Sequence, residues 1–235
     1  MLAHTGGMSS VQVQVLVVVL SCNKYRHLWP SILAKGIDDL IILVGHEDMH
    51  DRVLTHTELT ADSEMYLVGQ VLHLGCNDCY EGLPVKMAKA IEFVLRSPRF
   101  AHITHILKID DHDTHFDKSN VDTIKAMLAA APCDFMGQKL NQPPGMRNYH
   151  VPYVSLNSEW RTKWYTGEMV PWLHGGSSYV LSRLAMTLVN NVYNTTNVKD
   201  VSTNEIFEDM MVAKILYRNG ILPKQVDYGV LGDRA

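Results

Sequence analysis

The apolar run Ile103–Ile109 reads as a buried strand, and it ends abruptly in Asp110-Asp111-His112-Asp113, three carboxylates and a histidine within four residues. Like charges that close raise one another's pKa and cost stability unless a cation neutralises them. Carboxylates together with histidine suit a hard or borderline divalent cation, Mg²⁺ or Mn²⁺. The stretch Lys108–Phe116 therefore predicts an Asp-x-Asp site for a metal and a sugar nucleotide at the carboxyl end of a central strand.

The surrounding sequence supplies a sheet for that strand. Val13–Leu20 is continuous and apolar, as expected of a strand buried on both faces of a parallel sheet. Leu40–Val44 is a second such run, closed by Gly45, and Tyr25–Lys35 between them reads as a helix despite Pro30. Val68–Leu74 predicts a third strand, and Pro84 opens a helix to about Arg96 with Leu83, Met87, Ala90, Ile91 and Val94 on its core face. Lys86 and Lys89 fall off that face, where a lysine is solvated or approaches a phosphate. Ser119 or Asn120 is expected to cap the next helix, and Ser182 the helix Arg183–Val192. Strands are further expected at Asp134–Leu140, His150–Leu156 and Ile221–Val226, and a last helix from about Asn204 to Asn219, with Glu208 and Asp209 in its first turns. Alternating strands and helices predict an α/β fold: one open, twisted, mostly parallel sheet flanked by helices, Rossmann-like, with right-handed crossovers. Ligands bind such sheets beyond the carboxyl ends of strands, which points to Ser21–Arg26 and Gly45–Asp48. Neither carries a dinucleotide or phosphate-loop fingerprint.

Composition narrows the partners. The chain has 235 residues, a net charge of −4 and 20% charged residues, which suits one globular domain (residues 11–235) and gives no basic footprint for nucleic acid. Residues 1–10 read as a disordered tail or an expression remnant. Val11–Leu20, the most apolar run, is too short to span a membrane. Cys76 and Cys79 form a lone Cys-x-x-Cys without the second pair a zinc site needs, so reduced, partly buried thiols are expected.

Four segments in order resemble one family: Lys108-Ile109-Asp110-Asp111-His112, Lys163-Trp164-Tyr165, Pro171–Ser182 with its Gly175-Gly176-Ser177-Ser178-Tyr179-Val180-Leu181 core, and Phe207-Glu208-Asp209. They are similar to the successive signatures of the β-1,3-galactosyltransferase and fringe-like glycosyltransferases, over roughly residues 13 to 220. The resemblance implies a single nucleotide-sugar-binding domain of the GT-A type and inverting transfer of a hexose, galactosyltransferase-like, from a UDP-sugar to a hydroxyl of a glycan or glycoprotein acceptor. By that analogy Asp111 and Asp113, or Asp110 in a shifted register, hold Mn²⁺ (or Mg²⁺) on the diphosphate, with His112 as a further candidate ligand. Asp209 is the general base, and Glu208 its runner-up. Asp110, Asp111, Lys86, Ser21, Gly175, Gly176 and Ser177 line the donor site, and Trp164, Trp172 and His174 the acceptor site.

Three departures stand out. The family's third acidic position is His112 here, with Asp113 one residue on. The family's late metal-binding histidine has no counterpart after His174, so water, phosphate, His112, His115 or His174 would fill that position. The family is usually anchored in the Golgi membrane, so an excised luminal domain and a short soluble, cytoplasmic form both fit. Two other readings compete: a metal-dependent hydrolase built on Asp111-His112-Asp113 with His115, and a non-catalytic carbohydrate-binding module.

Overall fold

The computed structural model describes residues 12–46, 65–113, 115–143, 154–156, 158–161, 165–194, 196–197 and 205–229. The two most apolar runs form β1 (Val15–Leu20) and β2 (Leu40–Val44), each buried along its whole length. Strands made only of Val, Ile and Leu need cover on both faces. They receive it from α2 (Leu83–Arg96), α4 (Arg183–Val192) and α5 (Glu208–Arg218) on one face, and from α1 (Trp29–Leu33) and α3 (Lys118–Ala130) on the other.

Among the described residues eight strands make one mixed, mostly parallel sheet in the order β10-β6-β9-β5-β1-β2-β4-β3. β5 (His105–Asp110) lies parallel to β1, with Leu20 opposite Asp110. β3 (Met65–Val68) and β4 (Val71–Leu74) are an antiparallel hairpin, and β4 is parallel to β2. β6 (Phe135–Gly137) and β10 (Lys224–Gln225) pair in parallel at the far edge. β9 (Tyr179–Ser182) runs antiparallel between β5 and β6. A separate two-stranded ribbon joins β7 (Leu140–Asn141) to β8 (Trp172–Leu173). Among the described residues no helix is long and apolar enough to cross a membrane.

The differences from the sequence expectations have local causes. Val68–Leu74 is not one strand, because Gly69 at φ 61° turns the chain between β3 and β4. Tyr25–Lys35 is a 3₁₀ turn, Asn23–Leu28, followed by the five-residue α1, which starts with Pro30 in its first turn. Asp117, not Ser119 or Asn120, caps α3, and Asn120 completes a capping box by accepting the Asp117 N–H. Asp134–Leu140 splits into β6 and the start of β7, and the closing strand shortens to Lys224–Gln225. The expected strand at 150–156 falls mostly outside the described residues, and 154–156 is not strand. Lys86 and Lys89 are not solvated: both are buried, at 0% and 1% exposure.

Ser182 caps α4 as expected, its hydroxyl accepting from the Ala185 N–H at 3.1 Å and donating to Asp134. Ser182→Ala removes both bonds and is expected to lower unfolding free energy by about 1–2 kcal/mol. Urea denaturation monitored by circular dichroism measures it, and an unchanged midpoint would show that the cap contributes nothing.

Candidate functional site

The carboxyl ends of β1, β2, β4, β5 and β6 share one edge of the sheet, because those strands are mutually parallel. β9 is antiparallel, so its beginning lies at the same edge. The pairing of Lys108 with Tyr179 brings the turn Gly175–Ser177 over the end of β5. The topology thus gathers at one place the acidic strand end, the glycine segment and, through contact with Gly175, the first turn of α5.

Lys108 is the centre of that meeting. Its side chain is 3% exposed, between the core residues Leu107 and Ile109. A buried ammonium is tolerated only when paired and hydrogen-bonded. Its Nζ donates to Asp110 Oδ1 at 2.6 Å and to the Gly175 carbonyl at 2.8 Å, and lies 3.1 Å from Glu208 Oε1. Burial alone would lower the lysine's pKa, but Asp110 and Glu208 more than reverse this and hold it charged. Glu208 also accepts the Tyr179 hydroxyl at 3.1 Å. Asp209 Oδ2 accepts the Gly175 N–H at 2.9 Å, and its Oδ1 accepts the Met210 N–H at 2.8 Å. Both carboxylates sit in the first turn of α5, where the helix N-terminus favours negative charge.

The glycines keep this crowded turn clear of the neighbouring side chains. A β-carbon on Gly175 would lie 2.8 Å from Glu208 Oε2, and one on Gly176 would lie 3.1 Å from His174 Cε1 and 3.6 Å from Asp110 Oδ2. Gly175 is buried and Gly176 exposed, so the Gly176 backbone is the part of the turn a ligand can approach, with His174 and Asp110 beside it. Ser177 is buried, its Oγ 3.0 Å from His174 Nδ1. Ser178 then takes a left-handed φ of 67° with its hydroxyl 2.9 Å from that of Tyr228. A strained non-glycine at this turn is held by its surroundings.

Asp111 faces the other side of β5. Its Oδ2 accepts from Ser21 Oγ at 2.8 Å, and Ser21 Oγ in turn accepts from Trp29 Nε1 at 2.8 Å. His112, whose side chain is 55% exposed, places Nδ1 3.5 Å from Asp111 Oδ1. The Asp113 N–H bonds the Asp110 carbonyl at 3.2 Å, closing a tight turn. Among the described residues no three His, Cys, Asp or Glu side chains gather as a metal cage. The donor set fits an open site, in which one or two carboxylates hold the cation and a ligand's phosphates complete its shell.

Other candidates are placed differently from expectation. Trp172 is 6% exposed and belongs to the hydrophobic core, so it is not an open stacking wall. Trp164 lies outside the described residues. Lys86 points inward to Asp78 and not to the open edge. The four cysteines are free thiols as expected, and burial pushes the Cys76 thiol up to about 11. Asp78 was not among the residues the sequence singled out. Lys108 was noticed only as motif, although one lysine between Leu107 and Ile109 in a buried strand is itself a signal that carboxylates must reach it.

Glu208 provides a pH-dependent signature. Burial is the largest cause pushing its carboxyl up to about 7; Lys108 pulls it down, and the charges of Asp209 and Asp110 push it further up. The folded chain therefore binds a proton that the unfolded chain, with its carboxyl near 4.5, has lost. Its contribution makes stability fall as pH rises from about 4.5 to about 7. In Glu208→Gln that slope should disappear from a series of urea denaturations across this window. The same slope in wild type and variant would assign it to another group.

The sequence matches no protein-family model and no curated protein. The family resemblance accordingly rests on the four segments alone. Among solved structures, the chain is similar to a 4-diphosphocytidyl-2C-methyl-D-erythritol synthase from Anaerococcus prevotii, with 9% sequence identity, 95% of this chain and 94% of that chain covered, and a TM-score of 0.44. A likeness at that level decides nothing about activity.

Proposed function

We propose that this protein is an inverting glycosyltransferase that moves a hexose from a UDP-sugar to a hydroxyl of a glycan or glycoprotein. The observation that carries the proposal is the convergence on Lys108: Asp110 from β5, Gly175 from the glycine turn and Glu208 from α5 meet on one buried ammonium. Three of the four segments that resemble glycosyltransferase signatures are thereby assembled at the edge where α/β sheets bind ligands.

In this reading the donor lies over the ends of β1 and β5, with Ser21, Asp110 and Asp111 beneath it and the Gly176 backbone alongside. Asp111 and Asp113, with His112 next to them, would hold Mn²⁺ or Mg²⁺, which supplies Lewis-acid neutralisation of the diphosphate when bound. Asp209 takes the proton of the acceptor hydroxyl as its oxygen forms the bond to the anomeric carbon. The bond from that carbon to the phosphate oxygen breaks with its electron pair, and the nucleoside diphosphate leaves. The Gly175 N–H orients the Asp209 carboxylate for this task. Glu208, bound to Lys108 and Tyr179, is the runner-up for the base.

Asp209→Asn is expected to leave UDP-sugar binding nearly intact while lowering kcat by about 10²–10⁴, because only proton transfer is lost. Steady-state transfer to an oligosaccharide panel measures it, and full turnover in the variant would move the base elsewhere. Asp113→Ala is expected to abolish Mn²⁺-dependent UDP-sugar binding in titration calorimetry. Unaltered heats would remove Asp113 from the cation's ligands.

A further inference from the structure

Away from Lys108, a second buried ion pair gathers the other half of the same edge. Asp78 and Lys86 both have side chains that are 0% exposed, with Lys86 Nζ 2.8 Å from Asp78 Oδ1. Burial alone would lower the lysine's pKa, and Asp78 more than reverses this. The remaining capacity of the pair goes to loops. Asp78 Oδ2 accepts from the Asn23 N–H at 2.6 Å and from Asn23 Nδ2 at 3.0 Å, and its Oδ1 accepts from the Gly45 N–H at 2.6 Å. Lys86 Nζ donates to the Ser21 carbonyl at 2.6 Å. The loops that follow β1, β2 and β4 are thus tied to one carboxylate and one ammonium.

Close packing reinforces the tie. A β-carbon on Gly45 would lie 2.7 Å from the Cys76 carbonyl and 2.9 Å from Asp78 Oδ1, and one on Gly82 only 2.0 Å from the Asn77 carbonyl. From Ser21 the connection continues through its hydroxyl to Asp111 Oδ2 at 2.8 Å. Asp78 holds Lys86, Lys86 holds the Ser21 carbonyl, and the Ser21 hydroxyl holds Asp111, so Ser21 is the residue that joins the buried pair to the end of β5.

We infer that Asp78 and Lys86 are positioning residues, which through Ser21 fix the Asp111 carboxylate and the loops after β1 and β2 for uptake of a nucleoside diphosphate. Lys86 acts through Ser21 and not by touching phosphate. The ligand's identity rests on the glycosyltransferase reading; the connection from Asp78 to Asp111 does not. Such prearrangement lowers the ordering cost of binding, so its loss shows as weaker affinity with the fold retained.

The test uses the full chain and compares wild type, Lys86→Met and Ser21→Ala by amide hydrogen exchange and by calorimetry with UDP and Mn²⁺. Lys86→Met is expected to speed exchange about tenfold or more at Asn23, Gly45 and Asp111, with α3 and α4 unchanged, and to weaken UDP binding about tenfold. Ser21→Ala, which keeps the buried pair but removes the donor to Asp111 Oδ2, should shift the Asp111 carboxylate carbon resonance while Asn23 and Gly45 stay protected, so it serves if Lys86→Met does not fold; an unchanged resonance would break the link to Asp111 and overturn the inference. Weaker UDP binding in Lys86→Met with Asp111 exchange unchanged would overturn the inference in favour of direct phosphate contact. Faster exchange throughout α3 and α4 with UDP affinity retained would overturn it in favour of general packing. If the exchange pattern is as expected but the wild type takes up no UDP, the positioning chain stands and the glycosyl-transfer reading falls.

Discussion

The buried ammonium of Lys108 is the constraint on which the rest of the edge depends. Left without partners inside a strand, it would cost several kcal/mol. Its partners come from three parts of the chain: Asp110 from the same strand, Gly175 from the turn before β9, and Glu208 from the start of α5. Burying the strand therefore requires the turn and the helix to arrive in register. The same contacts that stabilise β5 bring Asp110, Glu208 and, through Gly175, Asp209 together.

Sheet topology divides the edge into two sides. On one face of β5, Asp110 looks toward α5 and the glycine turn. On the other, Asp111 looks toward Ser21 and Trp29 beneath α1. Adjacent residues of a strand point to opposite faces, so the doubled aspartate serves both sides at once. Lys108 is the counter-charge of the first side, whereas Asp111 is reached only through Ser21, whose carbonyl the neutral Asp78–Lys86 pair holds. On the second side the backbone approaches so closely at Gly45 that a β-carbon would meet the Cys76 carbonyl, while on the first a β-carbon at Gly175 would meet the Glu208 carboxylate.

Much of this was legible in the sequence where the signal was local. Continuous Val/Ile/Leu runs gave β1 and β2, Ser182 gave a cap, and the abrupt acidic end of β5 gave the edge. What escaped depends on partners distant in sequence. Lys86 and Lys89 looked like the polar side of an amphipathic helix, yet Lys86 meets Asp78 and Lys89 the Gly75 carbonyl inside the protein. Asp78 had no motif around it, and its importance comes from Asn23 and Gly45, which only the folded sheet places beside it. The resemblance placed Trp172 in the acceptor site, but the ribbon β7–β8 carries it into the core. Gly69 was overlooked because one glycine in a run of strand-forming residues does not by itself distinguish a bulge from a hairpin.

The pairing of Lys108 with Glu208 spans nearly half the chain, and this bears on how the protein is made. Synthesis delivers β1, β2 and β5 early, but the ammonium inside β5 has only Asp110 as a neutralising neighbour until the turn at Gly175 and then α5 have emerged. The central strand cannot settle into a dry interior before that. The nascent chain is therefore expected to hold its half-built sheet open, with its apolar faces exposed, until the glycine turn at Gly175 and then α5 have been synthesised. The charge that gathers the site in the finished molecule is also what delays its closure during synthesis.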